Sequence, residues 1–260
     1  MKKYYFVSGM PRSGSTLLCN ILAQNPNFHA THTSGCLDVL FGIRNNWHKL
    51  VEHQAHPNQE ALDRVLKATL HAYYADIEKS VIFDKSRGWL AYIEILQQIL
   101  NEPPKILVPI RLLPDILASF EKLYRETAKV KQPPGEAENY FAFQSVEGRC
   151  HFWMQPNSPV GLALNRLRDA LKRGFSKNLH FIEFEELTNN PAKKLKDIYD
   201  FLGEPHFEHN FDHVEQVTFE DDSVHGFVNL HNIRNKVEPV KSQAVEIIGN
   251  ELVAKFAGAY

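Results

Sequence analysis

The residues best suited to chemistry stand in one short run, Gly9-Met10-Pro11-Arg12-Ser13-Gly14-Ser15-Thr16. Its glycines let a backbone wrap closely around a tetrahedral anion, with successive N–H groups pointing inward as a nest. Ser15 and Thr16 add hydroxyl donors, and Arg12 adds a permanent positive charge. The spacing is that of a phosphate loop, G-x-x-x-x-G-K-[ST], with one departure: Ser15 stands where a nucleotide-hydrolysing loop carries its Lys. That Lys offsets charge on the β- and γ-phosphates during phosphoryl transfer. The run Ile106–Ile110 ends in Arg111, not in an Asp that could hold Mg²⁺. The pattern therefore favours binding of a phosphate-like anion over Mg²⁺-dependent triphosphate chemistry.

Such a loop works only between a strand and a helix. Tyr4-Tyr5-Phe6-Val7-Ser8 is aromatic and β-branched, so it predicts a buried strand ending at Gly9. From Ser15 the period changes: Leu17, Leu18, Ile21 and Leu22 share a helical face, and the run stops before Asn25-Pro26. Further strands are predicted at Val81–Phe83, Ile106–Ile110 and Leu179–Phe184. Helices are predicted over Leu90–Leu100, after Pro114, and from Pro191 to a stop at Gly203. Strands alternating with helices predict an α/β fold: a three-layer α/β/α arrangement on a mostly parallel sheet, like that of P-loop NTPases. Residues 130–159 read as a lid or helical insertion and 206–239 as an irregular segment covering the site, all within a single domain over 1–260.

Composition sets outer limits. The 260 residues carry 29 Lys+Arg against 31 Asp+Glu, a formal charge of −2, which argues against a nucleic-acid partner held by bulk positive charge. No apolar run approaches the ~20 residues of a membrane span. The first residues hold too few apolar positions for a secretory leader. Cys19, Cys36 and Cys150 do not form a disulfide framework, so a reduced, cytoplasmic setting is expected.

With these residues in hand, the chain resembles the sulfotransferases that use 3′-phosphoadenosine 5′-phosphosulfate (PAPS). Pro11-Arg12-Ser13-Gly14-Ser15-Thr16-Leu17 is similar to their 5′-phosphosulfate loop, in the form seen in bacterial and tyrosylprotein members. Arg111, followed eight residues later by Ser119, resembles the pair that holds the nucleotide's 3′-phosphate. Phe184-Glu185-Glu186-Leu187, ahead of Pro191, resembles the stretch beside the adenosine, with Phe184 in place of the usual Tyr. Arg234 and Lys236 fall where members often close the nucleotide site with basic residues. The resemblance implies PAPS as cosubstrate, no required metal, and a small-molecule, glycan or peptide acceptor bearing a hydroxyl or amine.

It also implies catalytic roles. Arg12 and Lys85, the latter in Asp84-Lys85-Ser86-Arg87, would neutralise charge on the transferring group. The proton acceptor is less clear in the pattern. Arg87 occupies the position where cytosolic members place a His, and Thr33 the register where tyrosylprotein members place a Glu. His32, beside Thr33, is the first candidate base, with His225 and His231 as rivals, since an imidazole titrates near neutrality. Three further readings are set aside: a metal site in His206–His213, whose spacing fits no zinc pattern; Cys36 as a nucleophile; and Trp47, Trp89 and Trp153 as a nucleic-acid platform. Two alternatives remain open: a P-loop small-molecule kinase and a nucleotide-binding module without turnover. The acceptor is expected to meet residues 28–60, Val130–Pro159 and the late loop.

Overall fold

Alternation along the first strand sets the layers. In the computed structural model, which describes residues 2–258, β1 spans Lys3–Val7. Tyr4 and Phe6 face one apolar cluster, while Tyr5 and Val7 face a second. A strand buried on both faces must be covered on both. Helices Cys36–Trp47, Gln59–Tyr73 and Ile93–Leu100 bring Leu40, Leu66 and Leu96 to the first cluster. Helices Ser15–Leu22 and Pro191–Leu202 bring Leu18, Ile21 and Ile198 to the second. Each such buried side chain contributes about 1.5–3 kcal/mol.

The sheet holds five strands: β1, β2 (Phe28–Thr33), β3 (Val81–Lys85), β4 (Ile106–Ile110) and β5 (Leu179–Glu183). Their order is β2-β3-β1-β4-β5, and every pairing is parallel. Register sets Val7 beside both Lys85 and Leu107, so the loops after β1, β3 and β4 leave one edge together. Strand order reverses about β1, and the crevice at such a switch point is where open α/β sheets bind ligands. Four of these strands agree with the sequence expectation; β2 was not foreseen. It lies at the edge, alternates polar His29 and Thr31 with Phe28 and Ala30, and slips register between Ala30 and Thr33.

The less regular stretches have distinct fates. Within 130–159, helices Tyr140–Phe143 and Val146–Trp153 form. Cys150 and Trp153 pack against Ile116 and Phe120 of the helix Leu113–Ala128 in a third apolar cluster. Beneath that cluster, Glu121 accepts bonds from Arg149 (2.7 and 2.8 Å) and Arg125 (2.7 Å). From Glu204 to Gln243 the chain has no helix or strand and runs back over the sheet edge. No helix among the described residues is long and apolar enough to cross a membrane.

Candidate active site

A cavity of about 460 Å³ opens at that edge. The loop after β1 forms its floor. A Cβ on Gly9 would fall 2.2 Å from Pro109 O, so only glycine lets the loop lie this close to β4. Gly14 has φ +83°, and a Cβ there would meet the Phe184 ring at 2.6 Å. The helix Ser15–Leu22 begins directly after it, its first N–H groups facing the cavity mouth as an anion-favouring terminus. Arg12 is also left-handed, at φ 58°, a conformation unusual for a side-chain-bearing residue. That backbone turns its guanidinium toward Ser119, whose Oγ accepts from Nε at 3.0 Å, and toward the Leu230 carbonyl.

Arg12, Gly14, Ser15, Thr16, Leu17, Lys85, Arg111, Ser119, Phe184, Arg234 and Lys236 all line the cavity. Arg111 lies with its guanidinium carbon 4.4 Å above the Phe184 ring, 3.6 Å from Glu185 and 3.5 Å from the Arg12 carbonyl. Phe184 therefore both supports Arg111 and closes the space beside Gly14. Arg234 pairs with Glu238 at 3.6 Å and Lys236 with Asp212 at 2.8 Å, each on the exposed rim. Ser13 is in the same loop as Arg12 but its side chain does not line the cavity. Its Oγ lies 2.5 Å from Met10 O and 2.9 Å from Pro109 O, so the hydroxyl pins the loop to β4 and faces away from the cavity.

Lys85 is buried, with Nζ 3.0 Å from Glu220 Oε1 and 3.5 Å from Thr16 Oγ1. The preceding residue explains how β3 holds it. Asp84 is fully buried and accepts from Trp89 Nε1 (2.8 Å), Tyr74 OH (2.5 Å) and Ser34 Oγ (2.9 Å). Burial pushes the Asp84 carboxyl up, and these three donors oppose that.

The expected base, His32, is not in the cavity. As a strand residue beside Thr33 it points to the other face of an edge strand, where it is exposed and Nδ1 meets its neighbour's carbonyl at 2.8 Å. Thr33 does line the cavity, and Glu220 lies against it, accepting from its N–H at 2.7 Å and from Oγ1 at 2.9 Å. A carboxylate thus reaches the Thr33 position from a distant segment. No local pattern marks Glu220, because its place depends on how the irregular segment crosses the sheet. The segment is tied down by Asn20, whose Oδ1 accepts from the N–H groups of Val217 (2.6 Å) and Thr218 (3.1 Å).

The two rival histidines come with it. His225 Nε2 and His231 Nδ1 lie 3.5 and 3.6 Å from Glu220 Oε2, and His231 Nδ1 is also 2.6 Å from Asp222 Oδ1. Burial works against the Glu220 charge, yet Lys85, the Thr33 N–H and His231 outweigh it and hold the carboxyl at about 2. His231 is lowered from 6.5, chiefly by burial, with Asp222 and Glu220 opposing. Residues 28–60 contribute Thr33 alone to the cavity wall, and the 130–159 segment contributes Pro159 alone. Most of their apolar side chains pack into the core. His209 of the 206–213 cluster is buried, with Nε2 3.1 Å from Tyr199 OH, and burial lowers it to about 4. That stretch is a packed loop.

A model of the sulfotransferase family matches residues 5–209. The chain belongs to the sulfotransferase family. Sulfuryl transfer from PAPS is therefore its reaction class. Similar folds occur among solved structures at low identity. The sulfotransferase domain of the Synechococcus PCC 7002 olefin synthase gives a TM-score of 0.51 at 19% identity, covering 100% of this chain and 96% of that one. The sulfotransferase domain of the curacin biosynthetic pathway gives 0.53 at 16%, covering 98% and 90%. Retinol dehydratase, solved with androsterone and the inactive cofactor PAP, gives 0.52 at 13%, covering 98% and 78%. No curated protein matches the chain in sequence. The donor set fits PAPS: a glycine cradle, a helix N-terminus and the cations Arg12, Lys85 and Arg111 border one cavity of this sulfotransferase.

Proposed function

We propose that this sulfotransferase moves a sulfuryl group from PAPS to an acceptor hydroxyl or amine by in-line displacement, with His231 as the base. The loop Gly9–Thr16 acts as a phosphate loop of the P-loop kind, its backbone taking the 5′ end of the donor. Arg12 and Lys85 offset the charge that builds on the bridging oxygen as the S–O bond breaks, the role that cations fill in phosphoryl transfer. Arg111 and Ser119 hold the 3′-phosphate, Phe184 borders the adenine, and Arg234 and Lys236 guard the rim. We place the protein in the cytoplasm, on the strength of three buried, unbridged cysteines.

One observation carries the assignment of the base. His231 Nδ1 faces Asp222 at 2.6 Å, which fixes the tautomer with the proton on Nδ1 and leaves Nε2 as the acceptor. Glu220, held near 2, is too weak a base, and its Oε1 is engaged by Lys85 and Thr33. Its role is to position Lys85. The acceptor proton passes to His231 Nε2 as the acceptor oxygen or nitrogen bonds to sulfur.

Titration calorimetry with 3′-phosphoadenosine 5′-phosphate (PAP) in EDTA, followed by turnover of PAPS, tests this reading. Tight metal-free binding that Arg111→Ala weakens supports it. Binding of Mg·ATP in preference to PAP would put a kinase in its place, and PAP binding with no turnover on any hydroxyl or amine acceptor would leave a binding module.

A further inference from the structure

Among the described residues, one cluster of ligand atoms includes the proposed base itself. Glu220, His225 and His231 each offer one ligand atom, all within 4.8 Å of one another. Glu220 Oε2 is 3.5 Å from His225 Nε2 and 3.6 Å from His231 Nδ1. Tetrahedral zinc, with bonds of about 2.0–2.1 Å, sets neighbouring ligand atoms about 3.3–3.5 Å apart. The two measured edges are within a side-chain adjustment of that value. An octahedral Mg²⁺ site would need edges nearer 3.0 Å and oxygen donors, so the donor set selects a borderline transition metal.

The carboxylate is already oriented for this task. Oε1 takes the bonds from Thr33 and Lys85, which leaves Oε2 turned to the two imidazoles. Asp222 stands 2.6 Å from His231 Nδ1 and is the nearest further anion. Two neutral imidazoles and the Glu220 and Asp222 carboxylates surround the point, and the Lys85 ammonium on Oε1 leaves one positive charge in the set with a divalent ion bound.

We infer that Glu220, His225 and His231 form a zinc site that switches the enzyme off. When the metal bonds to Nδ1, the imidazole of His231 stays neutral by moving its proton to Nε2, and the Asp222 hydrogen bond is given up. Nε2, the atom assigned to accept the acceptor's proton, then carries a proton itself. Binding rests on the geometry alone, whereas inhibition also rests on the sulfuryl-transfer reading. Zinc should therefore lower kcat, because Nε2 can no longer take the acceptor's proton.

The test uses the full chain and Zn²⁺ alone, near neutral pH and without chelator. Calorimetry should show one ion per chain, weakened at least about tenfold by His225→Ala and by Glu220→Gln, as expected when metal-site contacts are lost. Co²⁺ bound to the wild type should give the intense visible absorption of a tetrahedral centre, a readout that needs no variant to fold. Absence of binding, or binding indifferent to both substitutions, would overturn the site. Binding with these properties but without inhibition of turnover would leave the site standing and overturn His231 as the base.

Discussion

The Glu220 carboxylate lies 3.0 Å from the Lys85 ammonium, and the side chains of both are more than nine-tenths buried. Two segments far apart in sequence meet there: the rigid end of β3, and an irregular stretch with no helix or strand of its own. A charge pair taken out of water is stable only when further bonds satisfy it. Here Thr33 supplies two and Thr16 Oγ1 lies at 3.5 Å from the ammonium. Lys85 is thereby held beside the loop that follows β1.

Replacing Glu220 by Gln should leave the fold in place and lower kcat by about tenfold to a hundredfold, because Lys85 loses its orienting partner. Lys85→Met removes the cation itself and should cost more, on the order of 10²–10³ in kcat, comparable to losing one donor to a developing oxyanion. Steady-state rates with PAPS and any accepted acceptor check both. A Lys85→Met enzyme of undiminished kcat would remove Lys85 from the reaction.

The acid stability of the protein should carry the signature of the same pair. Glu220 is lowered from 4.5 to about 2 in the folded state. A depressed carboxyl stabilises the fold in full above its ordinary pKa, and that contribution is lost as pH falls toward the folded value. The urea midpoint of the wild type should thus exceed that of Glu220→Gln by a constant amount above pH 5, and the gap should close between about 4.5 and 2. A gap independent of pH over that range would show that the carboxylate charge contributes nothing.

The activity should have an acid limb set by His231. Its imidazole is lowered from 6.5, burial being the main cause, so it stays neutral and able to accept a proton at pH 7. The kcat profile should fall below an apparent pKa under 6.5. His231→Ala should lower kcat by about 10²–10⁴ and abolish that limb, while His32→Ala, on the exposed face of β2, should change neither. Retention of the limb in His231→Ala would move the base elsewhere.

How much of this could be read in advance follows from what holds each residue. The placement of the Gly9–Thr16 loop was legible because strand, loop and helix are contiguous in one short run. That Arg111 and Ser119 reach the same cavity was legible for the same reason: a strand end and two turns of one helix fix their separation. The direction of the Ser13 side chain was not legible, because its neighbour Pro109 comes from another strand. His32 was misjudged because β2 is a polar edge strand, and the alternation that turns His32 out and Thr33 in was hidden until its pairing was known. Glu220 carried no signal at all. Its partners Lys85, Thr33 and His231 are assembled by a segment whose path is set by Asn20 and by the Arg12 bond to Leu230 O, neither of which has a period or a motif.

PAP affinity should report on Arg111 apart from catalysis. Arg111 lies on the Phe184 ring with Glu185 at its edge, and under the proposed function it meets the 3′-phosphate. Loss of a charged hydrogen-bonding partner costs about 1.5–3 kcal/mol, so Arg111→Ala should weaken PAP roughly 10- to 150-fold. Arg111→Lys should recover only part, since the planar fork and its stacking are lost. Calorimetry on the three proteins decides it, and equal affinities would place the 3′-phosphate elsewhere.

Asp84 is where stability and function should separate most clearly. Its carboxyl holds Trp89, Tyr74 and Ser34 together beneath the Lys85 strand end, with no access to water. Asp84→Ala would leave Trp89 Nε1 and one of the two hydroxyls, which lie 3.3 Å from each other, buried without an acceptor, each costing about 1–3 kcal/mol. A loss of about 3–5 kcal/mol is expected, allowing for relaxation. Asp84→Asn keeps one carbonyl oxygen and should recover part of this. If the three donors matter only to folding, an Asp84→Asn enzyme assayed well below its Tm will turn over normally. If they also aim Lys85, kcat will fall while PAP affinity holds, and Glu220→Gln added to it will cost less than it does alone, because both substitutions act on the same ammonium.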